Sequence, residues 1–207
     1  MFIPPVGNLS WISIVNCIML MLREIHTSDP AYSWVEQLWL ASFPRNERRD
    51  TEAQRYNVDS HANFHCMLAE DDGKSVGFIN YWHFGAFCYG EHLATDPTCR
   101  NKGYGAQILS MLHAQLSTPN AQNTTLNTSL PFVLEVEMPT DDLSRRRIAF
   151  YARNGFALWD KYAYIQPPYR PMDEPLPMLL MAWGDISPEQ HFQHVKATIH
   201  RYVYGVE

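Results

Sequence analysis

The chain reads as an α/β (α+β) protein built as one domain, and three stretches carry that reading. Residues 93–116 hold a short apolar strand, Leu93-Ala94-Thr95, a turn at Asp96-Pro97, a basic glycine-bearing loop and an amphipathic helix. In that helix Ile108, Leu109, Met111, Leu112 and Leu116 recur at helical spacing. Residues 63–95 hold three strand-like runs, the first two joined by Asp71-Asp72-Gly73-Lys74, the composition of a tight hairpin turn. Residues 131–156 repeat the order strand, then helix. At 207 residues and 46% hydrophobic content the chain can bury one sizeable core, and no proline-rich, serine-rich or charged linker divides it.

The elements follow in order. Residues 11–22 are apolar, yet shorter than the ~20 residues a spanning helix needs. No basic leader with a small-residue cleavage site precedes Arg23, so no secretion signal is expected. We place the first strand at 18–25 and treat 1–17 as an extension. Ser28-Asp29-Pro30 supplies a cap and a first-turn proline for a helix over 31–42. The charged stretch 45–56 is also expected to be helical. Strands at 63–69, 75–84 and 87–95 come next. The polar 119–130 segment reads as a loop, in which Asn123-Thr124-Thr125 and Asn127-Thr128-Ser129 match glycosylation acceptors by chance. After a strand at 131–138, Ser144 is expected to cap a helix to Asn154, closed by Gly155. Strands at 156–166 and 177–183 flank the proline-rich segment 167–171, which is unsuited to a central strand. A last helix, 189–204, exposes His191 and His194 and makes residues 186–207 an appendage to a domain spanning 18–185.

Composition narrows the function classes. A net charge of −6 argues against non-specific nucleic-acid binding and suits a small or cationic substrate, as it also suits plain solubility. Four cysteines at 17, 66, 88 and 99 form no C-x-x-C pair, which fits a reducing, cytoplasmic setting. His61 and His65 lie four apart without a third ligand at motif spacing, so no metal is expected. No G-x-S-x-G elbow is present.

The loop Arg100-Asn101-Lys102-Gly103-Tyr104-Gly105 carries the chemistry. Its glycines remove Cβ atoms at a helix start, where N–H groups lack partners and the dipole favours an anion. Arg100 and Lys102 add positive charge. The physical reading is a pyrophosphate cradle; the plainer one is a capped loop with two solvated cations. A P-loop is excluded because no Gly-Lys-Ser/Thr ends the turn, and Ile108 replaces the third glycine of a dinucleotide fingerprint.

This R-x-x-G-x-G after a strand ending L-A-T-D-P resembles the acetyl-CoA loop of the GNAT N-acyltransferase superfamily. A second match lies downstream, where residues 147–156, ending F-Y-A-R-N-G-F, look like the family's later helix after the strand Leu134-Glu135-Val136-Glu137. The resemblance covers residues 18–185. It implies a mixed, mostly antiparallel sheet of six to seven strands with helices on both faces, in which the strands at 87–95 and 131–138 run parallel and splay apart. It further implies acetyl-CoA held by Leu93, Ala94, Thr95, Arg100, Asn101, Lys102, Gly103, Tyr104, Gly105 and Ala106. The implied acceptor is a small-molecule or peptide amine, with neither nucleic acid nor membrane as partner and with room for a homodimer.

Transfer from a thioester to an amine needs a proton acceptor, oxyanion donors and a proton for the leaving thiolate. Strict alternation puts Glu91 on the face of Leu93, where burial would raise its pKa, and turns His92 the other way. Glu91 is therefore the candidate base. Tyr151 matches the family's tyrosine at the thiol, or is simply a core tyrosine. Glu135 and Glu137 share a face and suit an acceptor amine or an ion pair with Arg145, Arg146 or Arg147. The expected activity is acetyl-CoA-dependent N-acetylation by direct transfer. A non-catalytic acyl-CoA sensor or scaffold, a different acyl donor, or a hydroxyl acceptor are the alternatives.

Overall fold

The computed structural model describes residues 20–117 and 130–206. The expected N-terminal extension and the two glycosylation-like motifs lie outside the described residues. An eight-stranded sheet runs through the molecule. Its strands are β1 (Leu20–Glu24), β2 (Phe64–Asp71), β3 (Lys74–His83), β4 (Cys88–Thr95), β5 (Phe132–Glu137), β6 (Ala157–Leu158), β7 (Tyr164–Gln166) and β8 (Leu176–Trp183). The spatial order is β1-β2-β3-β4-β5-β8-β6, with β7 also paired to β8. All pairings are antiparallel except β4 with β5.

The helices are α1 (Tyr32–Ser42), α2 (Thr51–Ser60), α3 (Tyr104–Ser117), α4 (Asp142–Arg153) and α5 (Pro188–Ile199). Helices α1, α2 and α5 close one face over Phe64, Phe78 and Leu180, through Val35, Trp39, Val58, Val195 and Ile199. On the other face Ile108, Leu109 and Leu112 of α3 meet Ile79, Phe132 and Met181. The hairpin turn between β2 and β3 has positive φ at Asp72 and Gly73, the conformation that its sequence favours. Strand alternation is what lets one sheet feed two cores.

Four local expectations change. The 45–56 stretch is not one helix: a 3₁₀ turn (Arg45–Glu47) and α2 are separated by extended residues, with Arg48 at φ −150°. Helix α4 starts earlier, because Asp141 is the cap and Ser144 reciprocates from the third helical position. The strand expected at 156–166 is interrupted by a turn at 159–162, and both halves pair with β8. Finally, the C-terminal helix is no loose appendage. Phe192, Val195, Ile199 and Val203 are buried within the first core.

The β4–β5 pairing decides the site. It consists of Cys88 with Phe132, Tyr89 with Val133 and Gly90 with Leu134, after which the strands part. At the same point β4 bulges against β3: Gly90 faces Tyr81 and His92 faces Asn80, leaving Glu91 as the extra residue.

Candidate active site

The bulge overturns strict alternation. Glu91 and His92 both point to the α1 face, while Leu93 packs with the opposite core. His92 lies between Trp39 and Phe43 and bonds the Glu47 carbonyl through Nε2. Burial pulls its pKa down to about 4, so it is neutral at ordinary pH.

Glu91 is fully buried, and its oxygens are engaged on every side. Arg49 makes a two-pronged contact at 2.5 and 3.0 Å, Trp82 Nε1 donates at 2.9 Å and the Tyr169 hydroxyl donates at 2.6 Å. Burial alone would raise its pKa. The Arg49 charge, His92 and the donated hydrogen bonds more than reverse that, and the carboxyl sits below its usual value. The raised pKa expected from burial is thus not what this geometry produces.

Glu135 has the complementary environment. Among the described residues no cation touches it; the Tyr164 hydroxyl donates to Oε1 and the Tyr204 hydroxyl to Oε2 at 2.8 Å. Burial pushes its pKa up, the tyrosine hydroxyls pull against this, and the neighbouring Glu91 charge adds to the rise, leaving it at about 7. Glu137, on the same face of β5, forms an ion pair with Arg147. That is one of the two options open for it from sequence; Arg145 instead pairs with Asp142 at 2.8 Å.

Two cavities meet here. The first, about 310 Å³, is lined by Phe43, Glu47, Tyr89, Glu91, Glu135 and Glu137 on its acidic side. The second, about 430 Å³, lies at the start of α3 and is lined by Leu93, Ala94, Thr95, Arg100, Asn101, Gly103, Tyr104, Gly105 and Ala106. Nine of the ten residues expected to hold the cofactor therefore line one groove; Lys102 is exposed beside it. Leu93, Ala94, Thr95, Arg100, Arg147 and Tyr151 border both cavities.

The loop backbone shapes the groove. Gly103 has φ +80°, a conformation a side chain strains against. Residue 101 also has a left-handed backbone, and an asparagine tolerates it. Helix α3 begins at Tyr104, and its first residues, Tyr104, Gly105 and Ala106, line the groove at the end where helix N–H groups lack intrahelical partners. Arg146 and Arg147 of α4 face it with Arg100. The Tyr104 ring itself is structural, since its hydroxyl donates to Asp71. Tyr151 stacks edge-on between Phe150 and Phe156, and burial pushes its pKa up to about 12. Its hydroxyl makes no hydrogen bond among the described residues.

Residues 62–158 match the family model described as an acetyltransferase (GNAT) domain. A GNAT-family acetyltransferase from Bacteroides thetaiotaomicron is 40% identical in sequence and superposes with a TM-score of 0.81, over 90% of this chain and 99% of its own. The chain belongs to the GNAT acetyltransferase family. More distant GNAT structures share the fold. The ribosomal-protein-S18-alanine N-acetyltransferase from Escherichia coli is 21% identical (TM-score 0.56; 83% of this chain, 98% of its own). A GNAT-family acetyltransferase from Elizabethkingia anophelis, solved with acetyl-CoA bound, is 16% identical (TM-score 0.52; 80% of this chain, 97% of its own). No functionally curated protein matches the sequence. Among the described residues of this GNAT chain, no helix is long and apolar enough to cross a membrane.

Sequence reasoning missed the residues that surround the two carboxylates. Arg49, Trp82, Tyr89, Tyr164, Tyr169 and Tyr204 come from six separate parts of this GNAT chain, and no spacing rule joins them. Tyr164 and Tyr169 flank the proline pair 167–168, and Tyr204 lies in the C-terminal segment, outside every motif.

Proposed function

We propose that this protein is an acetyl-CoA-dependent N-acetyltransferase that passes the acetyl group directly to a primary amine in a ternary complex. The observation that supports it is the junction of the two cavities at Leu93–Ala94–Thr95 and Tyr151: a cationic groove on one side and an acidic, aromatic-lined cavity on the other. Acetyl-CoA supplies the acyl group as a thioester. The groove residues Arg100, Asn101, Gly103, Tyr104, Gly105 and Ala106, with Arg146 and Arg147, suit its pyrophosphate and Lys102 adds charge nearby. Leu93, Ala94 and Thr95, past the last β5 pairing, have main-chain groups free of a β5 partner for the pantetheine arm.

Two carboxylates with opposed environments divide the acid–base work. Glu91, placed in the base role by spacing, is held ionised by Arg49, so we assign it to fixing the field of the cavity. Glu135, near pH 7 in its titration, takes the proton from the amine. Tyr151 stays protonated across physiological pH and holds a proton at the junction for the departing sulfur. Glu47 adds acidic character to the same wall, while Glu137 is held in its ion pair with Arg147. The acceptor class is an amine on a small molecule or a peptide N-terminus, and a cytoplasmic setting fits the cysteine usage.

The test is a thiol-release assay with acetyl-CoA across polyamines, aminoglycosides, amino acids and peptide N-termini. We expect amine-dependent release with at least one class, suppressed in Gly103→Val. Acetyl-CoA binding without release for any amine would overturn the enzymatic reading.

A further inference from the structure

Beyond Ile199 the last helix widens into a π turn, His200–Tyr204, closed by Gly205 at φ +69°. Wider turns of this kind rotate the residues that follow out of α-helical phase and gather at functional sites. Here Tyr202 is left half exposed and Val203 is buried. Tyr204 is partly buried against the first core, and its ring packs on Tyr169 at 4.8 Å. Its hydroxyl donates to Glu135 Oε2 at 2.8 Å and lies 3.4 Å from the Tyr89 hydroxyl. Since Tyr169 donates to Glu91, the Tyr169–Tyr204 pair bridges the two buried carboxylates.

We propose that Tyr204 is a positioning residue for catalysis: the C-terminal turn delivers its hydroxyl to Glu135, fixing that carboxylate's orientation and the pH at which it can accept the amine proton. This rests on the assignment of Glu135 as base. The groups facing Glu135 are few and can be named. They are Tyr89 and Glu91 from β4, Tyr164 from β7, Tyr169 from the segment after β7 and Tyr204 from the C-terminal turn. Arg49 stands behind Glu91, His200 stands behind Tyr164, and Glu137 lies two residues on, paired to Arg147. Among the described residues no cation reaches Glu135 directly, so its charged form depends on donated hydroxyls. A hydroxyl that donates to a carboxylate favours ionisation, whereas a ring that only packs does not. The purely structural role of Tyr204 lies in its ring, which a phenylalanine keeps.

The experiment uses full-length protein carrying Tyr204→Phe, with Tyr164→Phe as companion and Tyr202→Phe as control. Two readouts are taken. One is the pH dependence of kcat/KM with acetyl-CoA and a responsive amine; the other is the ¹³C titration of the Glu135 side-chain carboxyl by NMR, without turnover. Losing a hydrogen bond worth about 0.5–1.5 kcal/mol should move the Glu135 midpoint upward by roughly 0.4–1.1 pH units, and the acidic limb with it. Tyr164→Phe should shift both in the same direction and Tyr202→Phe neither. An unmoved NMR midpoint in folded Tyr204→Phe overturns the proposal. If Tyr204→Phe does not fold, an unmoved midpoint in Tyr164→Phe overturns it equally, because the hydroxyls then do not set the titration. A shifted midpoint with an unmoved kcat/KM limb leaves Tyr204's hold on Glu135 standing and refutes Glu135 as the base.

Discussion

At the scale of single residues, Glu135 turns a functional reading into a stability measurement. Its native pKa of about 7 lies above the ordinary 4.5, so between those values the folded state binds the extra proton. Stability from this group is fully present below about pH 4.5 and is lost as pH rises through about 7. Glu135→Gln should therefore be more stable than the parent at pH 8 by on the order of 1–3 kcal/mol in a denaturant titration, with the gap closing at pH 5. The same variant should lose roughly 10²–10⁴-fold in turnover if Glu135 is the base. Glu91 runs the other way. Its lowered pKa gives stability above the unfolded value that disappears as pH falls through the native one. Glu91→Gln leaves the Arg49 charge buried without its partner, and we expect a loss of about 3–5 kcal/mol in a denaturant titration. Tyr151→Phe separates ring from hydroxyl: the melting temperature should hold while turnover falls. With its pKa at about 12, the parent should show no alkaline limb from this tyrosine below pH 10. Full activity in Tyr151→Phe would leave Tyr151 as packing.

At the scale of elements, what was legible in the sequence depended on whether local pattern and tertiary context agreed. The α3 helix and its loop were readable because apolar period, glycines and charge all coincide there. Nine of the ten residues expected to hold the cofactor line one groove. Gly103→Val should abolish the stabilisation by CoA, about 2.7 kcal/mol at 100 times Kd for the parent, read as a melting shift. The β4 strand misled because one extra residue at Glu91 reverses the faces beyond it, and a bulge leaves no mark in hydrophobic alternation. Sequence also undervalued α5. Its polar run of His191, Gln193, His194 and Lys196 reads as a solvated face, but Ile199 and Val195 are completely buried. Ile199→Ala should cost about 2–5 kcal/mol in a denaturant titration, a loss that an appendage would not feel.

At the scale of the whole molecule, the fold class followed from the order of elements, whereas the acceptor side did not, because its wall is assembled from residues far apart in the chain. Arg49, Tyr169 and Tyr204 meet only after three connections have closed. The parting of β4 and β5 has a mechanical consequence as well. Among the described residues three residue pairs form the ladder between β4 and β5, a short seam in the middle of the sheet. The seam's inner end is stiff: a Cβ built on Gly90 would lie 2.5 Å from the Phe132 ring, so the two strands are pressed together there with nothing between. Past that point β4 and β5 share no further ladder pair among the described residues. The opening beyond the seam therefore starts from one fixed point, where a larger side chain at residue 90 would wedge the strands apart.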